Sequence, residues 1–275
     1  MITVVRAGPL TTVQDLGRPG YAHLGVPRSG ALDMPALRLA NSLVGNPPAT
    51  AGLETTLLGC ALRFSRAARV AVTGASALVK LDGVEVSGVL DVPAGSVLDV
   101  GKATVGVRSY VAVAGGIAVE PVLGSRSTDT LSGLGPPRLS NGMELPVGDA
   151  SAATGWAERE APPSEDLVLR VRLGPRDDWF EDAAELFGAA YTISPVSNRV
   201  GARLAGPALR RRRSGELPSE GIVLGAIQVP ADGQPLIFLA DHPTTGGYPV
   251  VGVVADVTPL AQARPGTTVR FCDLH

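Results

Sequence analysis

Apolar residues recur at helical spacing in only two places. In the first half Leu32, Ala36, Leu39, Ala40 and Leu43 fall on one face. Ser29 stands where an N-cap would, Pro35 falls in the first turn, where its missing N–H costs little, and Gly45 ends the run. In the second half Phe180, Ala183, Ala184 and Phe187 share a face, with Asp177, Asp178, Glu181 and Asp182 in the opening turns and Gly188 as the stop. The remaining apolar runs are short, divided by turn residues, and predict strands. Leu78 to Val86 reads as a hairpin turning at Asp82-Gly83, a pair suited to φ > 0. Arg69–Thr73, Ser96–Val100 and the Val-rich Val105–Ala114 are further strands, the last buried on both faces. Leu167, Leu169, Val171 and Leu173 alternate with Val168, Arg170 and Arg172, as in a half-buried strand. Strands are also expected over Ile222–Val229, Pro235–Ala240, Pro249–Val257 and Thr267–Phe271.

Helices and strands do not alternate regularly, so a doubly wound parallel sheet is not expected. The pattern predicts a mainly β protein with a few helices, in two barrels or sandwiches spanning residues 1–150 and 166–275. Residues 151–165 have no apolar period and read as a linker or long surface loop.

Composition narrows this. Hydrophobic residues make up 45% of 275 but aromatics only 4%, so Val, Leu, Ile and Ala must build the core. The 34 Gly and 23 Pro suit many tight turns. A net charge of −2 gives no footprint for nucleic acid. Cys60 and Cys272 form no C-x-x-C pair, and two free buried thiols are expected rather than a disulfide. No signal peptide or membrane-spanning run is visible, which makes the cytoplasm the expected location and a membrane partner unexpected.

The chain has no G-x-x-x-x-G-K-[ST], no G-x-S-x-G and no H-E-x-x-H. His23, His242 and His275 are isolated, and no metal site is expected. Candidate chemistry therefore falls on polar loops. Residues 13–30 set Gln14, Asp15, Arg18, His23 and Ser29 between turn residues ahead of a helix N-terminus. That suits a carboxylate or phosphate, and equally a turn-rich connector. A buried strand empties into Gly124-Ser125-Arg126-Ser127-Thr128-Asp129, a polar loop or a satisfied surface turn. Asn198, Arg199 and Arg203 flank Gly201, and anion recognition and an ordinary strand edge are both open. Arg210–Arg213 reads as a solvated turn. Glu220 and Gln228 precede Asp241, His242, Thr244, Thr245 and Tyr248, where Asp241 and His242 could move a proton and the threonines could orient a small substrate.

The stretches "TTVQDLGRPGYAHLGVPRSGALD", "LRLANSLVGNPP", "YVAVAGGI", "VLGSRST", "GPRDDWF", "SNRVGARLAGPAL", "SEGIVLGAIQVPADGQP" and "ADHPTTGGYP" resemble, in order, the allophanate hydrolase subunit 2 family. That family is also known as the biotin-dependent carboxyltransferase or KipA-like family, and it includes the C component of 5-oxoprolinase. The resemblance runs from about Gly8 to Phe271 and implies two tandem cyclophilin-like β-barrel halves. It implies a subunit 1 or KipI-like partner (the B component), with a LamB/YcsF-like protein (the A component) as a third member. The implied activity is ATP-dependent opening of 5-oxoproline to glutamate, with ATP carried as its magnesium complex. One alternative is carboxyl transfer to urea or a similar small amide, using biotin on a separate carrier. A second is a non-catalytic antagonist of a histidine-kinase inhibitor. Family motif positions match Gln14, Asp15, Arg18, Ser29, Asp33, Arg126, Asn198, Arg199, Glu220, Gln228, Asp241, Thr244, Thr245 and Tyr248. Under the oxoprolinase reading Arg18, Arg126 and Arg199 neutralise phosphoryl and carboxylate charge, and Asp15, Glu220 or Asp241 activates water. Members of the family often carry Arg-Gln where this chain has His242-Pro243.

Overall fold

Strand propensity and tight Gly turns dominate the computed structural model, which describes residues 1–150, 166–215 and 217–274. The first strands are β1 (Ile2–Arg6), β2 (Thr11–Gln14), β3 (Gly52–Thr56), β4 (Cys60–Phe64) and β5 (Ala68–Leu81). They are followed by β6 (Val84–Val86), β7 (Val89–Val92), β8 (Val97–Val113) and β9 (Glu144–Leu145), with a 3-10 turn (Ala22–Leu24) and the α-helix α1 (Met34–Leu43) between β2 and β3. The later elements are β10 (Asp166–Leu173), a single-turn helix α2 (Glu185–Gly188), β11 (Ala190–Ile193), β12 (Gly201–Ala205) and β13 (Glu220–Gly221). The chain then runs through β14 (Ala226–Gln228), β15 (Leu236–Phe238), β16 (Thr245–Gly246), β17 (Val250–Val254) and β18 (Thr268–Asp273). No described helix is long and apolar enough to cross a membrane.

The described chain divides into two compact units. One holds residues 1–18 and 29–150; the other holds 19–28 and 166–274. The expected linker lies outside the described residues.

In the first unit nine strands form one sheet, ordered β2-β3-β8-β4-β1-β9, with β5 pairing β6, β7 and β8. The 17-residue β8 makes this possible: its start pairs β4, its end pairs β3, and β5 follows it along most of its length. The two strands predicted at Ser96–Val100 and Val105–Ala114 are thus one strand. The predicted hairpin is present, with Asp82 and Gly83 at φ 48° and 84°.

Register explains how this sheet sorts its side chains. Val13, Leu53 and Val111 lie opposite one another and enter the main core with Ile2, Leu62, Phe64 and Val100. One residue along, Thr12, Glu54 and Tyr110 are paired and must face the other way. That other face receives α1 through Ala36, Leu37 and Ala40, packed with Ala71, Tyr110 and Ala112. The helix begins later than predicted. Its N-cap is Asp33, whose Oδ1 accepts from Ala36 N at 3.1 Å; Ser29 instead has φ 54° and lies outside the helix.

In the second unit seven strands close a barrel, β10-β17-β14-β15-β12-β11-β18. Its one parallel pair is β10 with β18. The predicted alternation in β10 is present: Leu167, Leu169 and Val171 are buried between exposed neighbours. The helix predicted from Phe180 is not. Asp177–Trp179 forms a 3-10 turn and Glu185–Gly188 a single turn burying Leu186. Trp179 and Phe180 are buried instead by a strand-like bridge from Phe180 to Arg211. Tertiary packing of two aromatics overrides a short helical period here.

Candidate functional site

In the first unit β2 ends at Gln14 and hands Asp15 to a loop that packs on residues 125–129. Asp15 is 8% exposed. Its Oδ1 accepts from Ser125 Oγ (2.6 Å), Ser127 Oγ (2.6 Å) and Gly17 N (2.7 Å), and its Oδ2 from Arg126 N (2.6 Å). Its backbone also joins the network: Asp15 N donates to Ser127 Oγ, and Asp15 O accepts from Ala31 N. The polar loop predicted at residues 124–129 is thus organised by one carboxylate.

Arg18 is buried. Its guanidinium donates to the carbonyls of Val122 and Ser127 and to Ser29 Oγ. Gln14, also buried, donates through Nε2 to Thr12 Oγ1 and Thr128 O, both at 3.0 Å. Arg126 differs from Arg18. It is half-buried, its Nε donates to Val119 O at 2.6 Å, and among the described residues neither terminal nitrogen has a partner. A guanidinium anchored at Nε with its terminal N–H groups open is arranged to accept an anion.

Sequence reasoning missed a second buried network on the same sheet face. Glu54 Oε2 accepts from Tyr110 Oη (2.7 Å) and Leu32 N (3.0 Å), and Arg108 Nε lies 3.5 Å from Glu54 Oε1. Tyr110 Oη in turn accepts from Asp33 N at 2.8 Å. Burial, then the nearby Glu54 charge, raises the Tyr110 hydroxyl well above the ordinary tyrosine range, so it stays a donor. The available signal was Arg108 inside a run otherwise expected to be buried on both faces. A buried arginine requires an acid, and Glu54 lies on the adjacent strand.

In the second unit Arg199 and Asp241 form a two-pronged ion pair, Nε–Oδ2 and Nη2–Oδ1 both 2.9 Å, with side chains 1% and 0% exposed. Asp241 N also donates to Arg199 O. His242 is buried beside Phe238, its Nδ1 2.7 Å from Pro243 O. Asn198 does not join this pair; its Oδ1 accepts from Val200 N and Gly201 N and closes a turn.

A second cluster surrounds the short β13–β16 ribbon. Glu220 pairs in register with Gly246 and takes both its oxygens into Arg176. Hydrogen bonding to Arg176 holds the Glu220 carboxyl below the usual glutamate range. Gln228 donates to Tyr248 O at 3.1 Å, Thr244 O accepts from Ile222 N, and Thr245 sits exposed on the ribbon. Arg211 lies 5.7 Å over the Tyr248 ring and donates to Val229 O.

The arginine run is largely the solvated turn expected, with Arg210, Arg212 and Arg213 exposed, but it also makes specific contacts. Arg213 pairs with Asp178 at 2.8 Å and stacks on Trp179, Arg210 lies 3.9 Å from Glu181, and Arg211 is partly buried. Both cysteines are free; Cys60 is fully buried, and Cys272 only partly. Burial pushes the Cys60 thiol up to about 12. Among the described residues no three His, Cys, Asp or Glu gather in a metal-binding group.

A family model described as "Carboxyltransferase domain, subdomain A and B" matches residues 24–273. The chain is 39% identical to the C component of Escherichia coli 5-oxoprolinase, over 100% of this chain and 92% of that one. It is 34% identical to urea amidolyase of Saccharomyces cerevisiae, over 99% of this chain but 16% of that much longer protein. The solved urea carboxylase of Kluyveromyces lactis superposes with a TM-score of 0.91 at 31% identity, covering 100% of this chain and 27% of that one. The mainly β fold expected from the sequence is shared with that solved structure.

Proposed function

This chain belongs to the carboxyltransferase domain family, subdomains A and B, and from that membership we propose that it is one subunit of an ATP-dependent 5-oxoprolinase. The observation that carries the reading is coverage. The chain matches the E. coli protein over nearly the whole length of both, whereas it corresponds to a small part of urea amidolyase. One component of a multi-component enzyme acts with others, and we assign this chain a subunit 1 (KipI-like) partner and a LamB/YcsF-like protein.

Lactam hydrolysis is hard because resonance stabilises the amide; transfer of a phosphoryl group from ATP to the lactam oxygen would make the carbonyl carbon electrophilic. The residues of this chain suit charge handling. Arg126, with its terminal nitrogens open, receives the carboxylate or a phosphoryl oxygen. Asp15 fixes the backbone on which Arg126 sits and holds both flanking serines. Arg18 is committed to two carbonyls and a hydroxyl, and Arg199 to Asp241, so neither is the principal anion receptor. Asp15 and Asp241, each with both oxygens engaged, act as positioning groups rather than as the base that activates water.

The urea amidolyase and urea carboxylase matches support a second reading, carboxyl transfer to a small amide from biotin on another chain. The two are separated by co-expressing this chain with its presumed partners and supplying either 5-oxoproline with ATP, or urea with bicarbonate, ATP and a biotin carrier system. Glutamate from the first mixture and no carboxylated urea from the second supports the oxoprolinase. The reverse pattern replaces it with the carboxyltransferase.

A further inference from the structure

One buried guanidinium holds the loop that presents Arg126 on both sides of that residue. Val122 and Ser125 exchange backbone hydrogen bonds, Val122 N to Ser125 O at 2.8 Å and Ser125 N to Val122 O at 3.2 Å. The turn between them sets Leu123 and Gly124 at φ 52° and 78°. Arg126 follows this turn directly, and Ser127 comes next. Arg18 Nε donates to Val122 O at 3.3 Å and its Nη2 to Ser127 O, so the two carbonyls it grips bracket Arg126. Its Nη1 donates to Ser29 Oγ at 3.1 Å, and the residue is 1% exposed.

The surroundings are shaped to keep this grip. Ser29 adopts φ 54°, a left-handed conformation uncommon for a residue with a side chain, and directs its hydroxyl at Arg18. Gly135, at φ 84°, packs on the same carbonyl: a Cβ there would stand 2.2 Å from Ser127 O and 3.1 Å from Arg18 Nη2. Only glycine leaves room for that hydrogen bond. The Arg126 backbone N–H is held by Asp15 Oδ2, and its side chain has one anchor, Nε to Val119 O. The direction of the Arg126 side chain therefore depends on where its backbone is fixed. A guanidinium carries its donors in a rigid planar fork, which sets the spacing of the carbonyls it binds; an ammonium, with its donors on one atom, does not reproduce that spacing.

We propose that Arg18 is a positioning residue for Arg126: by gripping Val122 O and Ser127 O it sets where the open terminal nitrogens of Arg126 face, and so how tightly an anionic substrate group is held. Arg18 is then a brace for the receptor and not a second receptor. The assignment rests on the reading of Arg126 as the anion receptor, but not on which amide the assembled enzyme uses.

The test follows the Arg126 Nε–H by proton–nitrogen NMR of the full-length chain, its resonance identified by its absence in Arg126→Gln. In the wild type the bond to Val119 O should slow exchange of this proton with water. Arg18→Lys should speed the exchange by about tenfold, the factor that corresponds to losing one net hydrogen bond. Ser29→Gly, which suits the left-handed φ and removes only the hydroxyl, should give a smaller rise in the same direction, and it decides the matter if Arg18→Lys does not fold. Unchanged exchange in the folded variants overturns the proposal, whatever the assembled enzyme catalyses. A double-mutant cycle in kcat/KM of the assembled enzyme is the second readout. Arg18→Lys should lower kcat/KM about tenfold alone and add little to the loss in Arg126→Gln, because both act through one guanidinium. Losses that multiply would reduce Arg18 to a fold-stabilising residue and overturn the proposal. Unchanged kcat/KM in Arg126→Gln would overturn the receptor reading and this assignment with it, an outcome the Arg126→Gln variant alone reveals.

Discussion

Asp241 directs both carboxylate oxygens at the guanidinium of Arg199, with two contacts of 2.9 Å in a site closed to solvent. The arrangement is reinforced by Asp241 N donating to the Arg199 carbonyl, so backbone and side chain lock the same two loops.

Breaking this pair from one side leaves the other buried charge without its counter-ion. Arg199→Met and Asp241→Leu should each lower unfolding free energy by about 3–5 kcal/mol. The Arg199→Met, Asp241→Leu double variant should recover much of that loss. Chemical denaturation of the four proteins closes the cycle; additive losses would show that the two residues are not energetically coupled.

Asp15 and Arg126 should separate by readout. Asp15→Asn places an amide N–H₂ among donors that need an acceptor, where each hydrogen bond to a charged acceptor is worth about 1.5–3 kcal/mol. Stability and turnover should therefore fall together. Arg126→Gln removes the open terminal nitrogens and one hydrogen bond, Nε to Val119 O, so turnover should fall steeply while stability falls by only about 1 kcal/mol.

Tyr110 should impose an alkaline limit. Its folded-state pKa is raised, by burial first and Glu54 second. Above about pH 10 the unfolded chain releases the Tyr110 proton while the folded chain retains it, so stability falls with rising pH. Tyr110→Phe should weaken that fall. It should also cost about 1–3 kcal/mol at neutral pH, because Asp33 N–H loses its acceptor. Tyr191, raised to about 12 by burial, keeps part of the alkaline dependence in the variant.

Glu220 gives the acid counterpart. Arg176 holds its folded pKa below the ordinary value, so its contribution is complete above the unfolded value and fades as pH falls through the folded one. Denaturation midpoints measured across the acid range should show a shallower loss in Glu220→Gln than in the wild type.

Cys60 and Cys272 should differ in labelling. At pH 8 a thiol-specific reagent should modify Cys272 in the folded protein and reach Cys60 only on unfolding, since the Cys60 thiol is fully buried with a pKa raised to about 12.

Local chemistry made much of this fold legible. Asp82-Gly83 announced its hairpin, and Leu167, Leu169 and Val171 announced a half-buried strand. Where the sequence misled, a tertiary contact had displaced a local preference. Ser29 resembles an N-cap, but its hydroxyl serves Arg18 while Asp33 caps the helix. Phe180 and Ala183 carry a helical period, but Phe180 is held by its bridge to Arg211. The polar loops were legible as loops, yet not in their divisions of labour. Only the fold reveals that Asp15 is filled by four donors, that Arg126 keeps its terminal nitrogens open, and that Glu54 meets Arg108 across two strands. Most of those pairings join residues far apart in the chain, such as Asp15 with Ser125 and Ser127 and Glu54 with Arg108, which periodicity cannot see.

The most direct test of the central claim is add-back. The two presumed partner proteins are purified without this chain, and ATP-dependent glutamate release from 5-oxoproline is measured before and after the chain is supplied. We predict no release before addition, restoration on adding the wild-type chain, and little restoration by Arg126→Gln. Full turnover without the chain, or none with all three proteins folded and assembled, would contradict the assignment.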